Sequence, residues 1–125
     1  MNASIESYRD LQVWQKSLAV SIDLYRVTKS FPPDERIGLT SQLRRAGVSV
    51  PSNIAEGYGR GSAKEYLRFL KIARGSIFEI ETQLLIAVKL EYCSSAQFEE
   101  LSDKLKECGR ILAGLIRSIK GRVQA

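Results

Sequence analysis

The chain has 125 residues, 44% hydrophobic and 26% charged, with a formal net charge of +5, an ordinary composition for one globular domain over 1–125 and too apolar for disorder. It contains no histidine, which excludes Ser-His-Asp triads, Cys-His pairs, HExxH zinc sites and histidine pH switches, so no cofactor and no metal is expected. Cys93 and Cys108 lack CxxC spacing, the opening MNASIESYRD carries no apolar leader, and no stretch has the ~18 uninterrupted apolar residues of a membrane span; a soluble, reducing, cytoplasmic setting is expected.

The segments between breakers are long and apolar at three- and four-residue steps, which predicts helices throughout and an all-α fold. The first helix is expected over 10–30, with Asp10 as N-cap. One seam carries Leu11, Trp14, Leu18, Ser21 and Tyr25, and a neighbouring seam carries Val13, Val20, Leu24 and Val27. Phe31-Pro32-Pro33 ends it. The second is expected over 34–58 through Leu39, Leu43, Ala46, Val50 and Ile54. Pro51 falls inside that pattern and predicts a kink or a local break that frees a carbonyl near Gly47. Tyr58-Gly59-Arg60-Gly61 is a glycine-rich stop. Ser62 and Glu65 then match a capping box opening a third helix over 62–91, whose heptad seam is Tyr66, Leu70, Ala73, Ile77, Ile80, Leu84 and Ala87. The fourth, over 95–120, repeats the device with Phe98, Leu101, Leu105, Cys108, Leu112, Leu115 and Ile119. Both ends, beyond Ser7 and Gly121, are expected to fray. Short connections make successive helices antiparallel, giving an up-down-up-down four-helix bundle.

Apolar residues spill outside these seams: Phe69, Ile72, Phe78, Leu85 and Ile86 on the third helix, Val20 and Leu24 on the first. A second buried face would account for them, so symmetric self-association is expected, with Val20, Leu24, Phe78, Leu85 and Ile86 as the oligomer interface. Widening of the core stripe by flanking positions is the competing account.

Between Arg44 and Arg74 lie seven cations, Arg44, Arg45, Arg60, Lys64, Arg68, Lys71 and Arg74, against two anions, Glu56 and Glu65; this excess equals the whole net charge. Lys64, Arg68 and Lys71 fall four and three apart on one helix face, the footprint of sequence-independent phosphate binding, with Tyr58 and Tyr66 as rings able to stack on bases. A second cluster, Arg110, Arg117, Lys120 and Arg122, follows the last acid, Glu107. Solvation of exposed faces and complementation of a helix dipole account for the same residues without a ligand. Gly57, Gly59 and Gly61 follow a helix and lack a GK[ST] ending, so they read as a helix stop. Glu56 and Glu79 lack the histidines of di-metal bundles, and pairing with Arg45 or Arg74 is expected instead. Neither cysteine has a neighbouring base that would make it a nucleophile.

With these residues in view, the chain resembles the four-helix-bundle proteins encoded in intervening sequences of bacterial 23S ribosomal RNA genes, the S23 ribosomal protein family. The resemblance rests on Asp10-Leu11-x-Val13-Trp14-Gln15-Lys16, Phe31-Pro32, Gly38-Leu39, Gln42-Leu43-Arg44-Arg45-Ala46, Val50-Pro51-Ser52-Asn53-Ile54-Ala55-Glu56-Gly57 with Gly59-Arg60, and Phe69-Leu70-x-Ile72-Ala73-Arg74-Gly75-Ser76. It covers Asp10 to about Leu115, and Gly47 and Val48 depart mildly from the family pattern. It implies a ring-like homopentamer and no catalytic site. It also brings in a relative, the accessory variability determinant proteins of diversity-generating retroelements, basic pentameric bundles that bind RNA and work with a reverse transcriptase. In the Ser52–Gly57 segment, Asn53 and Ser52 are placed to satisfy carbonyls freed by Pro51, and Gly57 to permit close helix approach; a ligand site there stays open. The leading expectation is a non-enzymatic oligomer binding RNA through Arg44, Arg45, Arg60, Lys64, Arg68, Lys71 and Arg74. A protein-interaction scaffold or accessory factor is the alternative.

Overall fold

The computed structural model describes residues 4–124; Met1 to Ala3 and Ala125 of the expected domain lie outside the described residues. Four helices carry the fold: α1 Gln12–Thr28, α2 Leu39–Tyr58, α3 Ala63–Lys89 and α4 Ser95–Gln124. Two 3-10 turns, Tyr8–Asp10 and Pro33–Glu35, precede α1 and α2, and no strand occurs among the described residues. α1 packs on α2, α2 on α3, α3 on α4, and α4 back on α1, while neither diagonal pair meets. Leu24, Leu43, Ile54, Leu70, Ile80, Leu84, Leu105, Leu112 and Ile119 fill the space between them, fully buried. The heptad seams of α3 and α4 lie inward as expected, with Ile116 buried beside a half-buried Leu115.

The start of α1 departs from expectation. Asp10 does not cap it; its carboxylate turns back to accept from the backbone N–H of Glu6 (2.9 Å) and Ser7 (3.1 Å), because Ser7 and Asp10, three apart, form a capping box for the short turn. Leu11 then precedes α1 without a side-chain cap. Of the two α1 seams, the inner one is Val13, Ser17, Val20, Leu24 and Val27, whereas Leu18, Ile22 and Tyr25 are exposed. Val20 and Leu24, at 3% and 0% exposure, are therefore core residues and not an oligomer surface. The reason is the crossing with α2: a Cβ on Gly47 would lie 2.7 Å from Leu24 Cδ1, so the helices approach closely there and Leu24 is enclosed. Phe69, 6% exposed, is likewise interior.

α2 begins at Leu39, five residues later than the expected Asp34. The Leu39 amide is instead met by the Glu35 carboxylate (3.0 Å), whose other oxygen accepts from the Tyr92 hydroxyl (2.8 Å), tying the start of α2 to the α3–α4 connection. The Leu39 amide, with help from Tyr92, holds the Glu35 carboxyl below its ordinary pKa. Pro51 does not interrupt α2; the helix continues through it to Tyr58, which corrects the expected break. Buried Leu43, Ala46, Val50 and Ile54 flank the proline on the inner face, and that packing outweighs a propensity penalty of ~3 kcal/mol. Asn53 does not go to the carbonyl near Gly47 that Pro51 frees; it donates to the Ser49 carbonyl (2.8 Å) and hydroxyl (2.9 Å), because a side chain reaches its own preceding turn most readily, and Ser52 is exposed.

Gly61, at φ +78°, ends the α2–α3 connection in the left-handed region that glycine favours. Ser62 caps α3 through the Glu65 amide (3.1 Å), but the Glu65 carboxylate turns to Arg68, so only half of the capping box forms. α3 stops at Lys89 with Glu91 in the left-handed region (φ 64°) and the Tyr92 amide bonded to the Ala87 carbonyl (2.9 Å), a Schellman-type ending. α4 runs past the expected Gly121 to Gln124. Among the described residues no helix is long and apolar enough to cross a membrane.

Two glycines give a direct test of the packing. A Cβ on Gly57 would lie 2.7 Å from Phe69 Cβ, so α2 and α3 must move apart to admit it; one on Gly75 meets nothing within 4 Å. Gly57→Ala is expected to lower unfolding stability by about 1–3 kcal/mol. Gly75→Ala is expected to raise it by about 0.5–1 kcal/mol, because alanine is the better helix former. Urea denaturation of both variants measures the contrast.

Candidate nucleic-acid interface

The seven cations expected to act together have different surroundings. Arg44 is half-buried on the α1 side of α2: its Nε donates to Thr28 Oγ1 (2.9 Å), a terminal nitrogen to the Tyr25 carbonyl (3.3 Å), and its guanidinium lies 4.6 Å from the Tyr25 ring centre. It staples α2 to the end of α1. Arg60 pairs with Glu56 (2.8 Å) and Arg68 with Glu65 (3.0 Å), and the two guanidiniums lie 4.8 Å and 4.5 Å from the Phe69 ring centre. Arg68 holds the Glu65 carboxyl below its ordinary pKa and is itself raised in return. Such exposed pairs add little stability, but they cancel charge locally.

Glu56 therefore pairs one turn ahead with Arg60, and Glu79 accepts from Gln83 Nε2 (3.1 Å); neither pairs with Arg45 or Arg74 as expected. The reason is reach, since residues four apart on one helix are neighbours whatever the tertiary fold. Arg45, Lys64, Lys71 and Arg74 form no ion pair among the described residues. Lys64, Arg68 and Lys71 are exposed along the outer face of α3. That face turns apolar further on, at Phe78, Leu85 and Ile86, which are 59%, 47% and 45% exposed.

Tyr58 and Tyr66 are not open stacking platforms. Their rings meet edge to face, 6.1 Å apart at 88°, both are half-buried, and burial pushes the Tyr66 phenol up. Arg122 opposes that rise through its charge, which places the end of α4 near the start of α3. Arg122, exposed near the end of α4, thus lies at the same end of the molecule as Lys64 and Arg68, while Arg110 sits in the middle of α4. The antiparallel order expected from the short connections already implied that convergence.

A cleft of about 480 Å³ between α2 and α3 is lined by Gln42, Arg45, Ala46, Ser49, Ser76 and Glu79. Sequence reading missed it, because its polar residues sit one or two per turn on two helices. A separate groove between α1 and α2 joins Tyr8, Trp14, Leu18, Val48 and Pro51. Among the described residues no three acidic or thiol side chains are grouped to hold a metal. Cys93 and Cys108 are both buried, and burial pushes the Cys108 thiol up to about 11, away from a reactive thiolate.

An all-α protein of four helices, with cations gathered at one end and along α3, is the class these observations define. Residues 9–114 match the family model described as 23S rRNA-intervening sequence protein, and the chain belongs to that family. It is also similar to a solved structure, a protein of unknown function from the S23 ribosomal protein family of Bacteroides thetaiotaomicron VPI-5482. That likeness has a TM-score of 0.75 at 24% identity, covers 83% of this chain and 97% of the other, and shows the shared fold. No curated protein matches.

Because Arg44 is held by Thr28 and Tyr25 of α1, its replacement is a stability change first. Arg44→Ala is expected to cost about 1–2 kcal/mol, from two side-chain hydrogen bonds and a cation-π contact, read as a lower urea midpoint at unchanged slope.

Proposed function

We propose that this chain is a non-enzymatic, homo-oligomeric, up-down-up-down four-helix bundle that works in the cytoplasm and binds RNA through phosphate contacts. The observation that carries the reading is the exposure of Lys64, Arg68 and Lys71 along one face of α3, with Arg60 just before that helix and Arg122 near its start. Arg45 and Arg74 extend it without acidic partners. The cyclic contacts of neighbouring helices and the short connections support the up-down order. Arg44, committed to α1, contributes least of the seven. A reverse transcriptase is a partner only by the distant resemblance.

Fluorescence anisotropy of labelled single-stranded RNA against the full chain at graded salt tests the reading. Log affinity is expected to fall linearly with log salt, and Lys64→Ala or Lys71→Ala each to reduce that slope by about one, while Arg44→Ala leaves it unchanged. Salt-independent binding, or none at micromolar protein and low salt, overturns it in favour of the interaction scaffold, for which the exposed apolar residues of α3 are the support.

Self-association rests on Phe78, Leu85 and Ile86, and the pentameric stoichiometry on the family resemblance. Light scattering is expected to give a multiple of 14.0 kDa. Phe78→Asp is expected to dissociate the assembly, since a desolvated unpaired charge costs several kcal/mol. A wild-type mass of one chain at tens of micromolar refutes it.

A further inference from the structure

The cleft between α2 and α3 is a polar site built into an otherwise apolar helix pair. Gln83, 6% exposed, sits among core residues of α3. Its amide nitrogen donates to Gln42 Oε1 (3.2 Å) and Glu79 Oε2 (3.1 Å), fixing one wall residue on each helix, and its Oε1 has no partner. Two turns away the Ser49 and Ser76 hydroxyls meet across the helices at 2.8 Å. Asn53 donates into Ser49, so both hydroxyls belong to one hydrogen-bonded chain at the cleft wall. Arg45 and Glu79 line the same cleft without pairing with each other. Two opposite charges that share a cleft and stay apart leave one carboxylate free to accept and one guanidinium free to donate.

We infer that this cleft takes the guanine base of an RNA strand lying on the basic face, Glu79 accepting from the base's N1–H and 2-amino group while Arg45 donates to O6. Guanine alone among the common bases presents two adjacent donors beside an acceptor on its pairing edge, so it alone engages both carboxylate oxygens while its O6 meets the guanidinium; adenine, cytosine and uracil each offer the carboxylate a single donor position. The inference rests on the RNA reading above, and Arg45 links the two, since it is both part of the basic face and a wall of the cleft.

The test compares labelled oligouridine strands carrying one central guanosine, inosine or adenosine, bound to the full chain at one low salt concentration. Guanosine is expected to bind roughly five- to tenfold tighter than adenosine, with inosine, which lacks the 2-amino group, in between. Glu79→Gln keeps an acceptor for Gln83 and the side-chain shape; it is expected to abolish the guanosine preference while holding or raising affinity for plain oligouridine, because an anion has gone. A residue with a purely structural role would lower both. Millimolar GMP is expected to erase the preference without displacing the strand. Equal affinities for guanosine and adenosine strands, or a preference that survives Glu79→Gln, overturn the guanine site and leave the basic face standing. Tight micromolar GMP binding with no gain from the strand reassigns the cleft to a free nucleotide and overturns the strand-borne base. Absence of binding by every strand overturns the RNA reading itself, and the guanine site with it.

Discussion

The close approach of α2 and α3 at Gly57 organises the rest of the molecule. With no side chain at Gly57, Phe69 Cβ and Tyr66 lie directly against the α2 backbone, near the end where the chain turns between the two helices. The approach brings Arg60, just past α2, and Arg68, on the second turn of α3, to the same Phe69 ring. It brings Ser49 within hydrogen-bond distance of Ser76, and Gln42 within reach of Gln83. Helix spacing depends on the smallest residue at the crossing, so the missing methyl group at Gly57 sets how closely α2 and α3 approach at that end.

Charge in this protein has to be counted after pairing. The seven cations between Arg44 and Arg74 behave as three groups once folded. Arg60 and Arg68 are neutralised by carboxylates on their own helices, Arg44 is spent on α1, and Arg45, Lys64, Lys71 and Arg74 keep their full field. α1 and α4 show the same economy, with Lys16 on Glu107 at 2.9 Å and Lys104 on Asp23 at 2.7 Å. Those pairs clasp the other side of the bundle and withdraw cations from it. A phosphate chain would meet its strongest attraction along α3 and at the end shared with the α4 terminus, where no clasp of this kind competes.

The surplus apolar surface is divided as well. Leu18, Ile22, Tyr25 and Val48 are exposed over α1 and α2, and Phe78, Leu85 and Ile86 over α3. These are separate faces, on different helices of the bundle.

The sequence by itself determined the helices, the seams of α3 and α4, the glycine stop at Gly59 to Gly61 and the Ser62 cap, because each rests on bonds or spacings within a few residues. It also marked Gly57 as a contact glycine, but it aimed Asn53 at the carbonyl that Pro51 frees near Gly47, and Asn53 reaches the Ser49 carbonyl instead. It could not decide which of two equally apolar seams on α1 faces inward, since both fit a 3.6-residue period; the crossing at Gly47 decided it by enclosing Leu24. It placed a break at Pro51 from local chemistry, and the burial of Val50 and Ile54 overrode that penalty. It treated the cations around α3 and those ending α4 as two clusters, although the antiparallel order it implied brings Arg122 back to the start of α3. Only the packing of α2 on α3 turned six scattered polar and small residues into a cleft, because no spacing along one helix records which residues of another lie opposite.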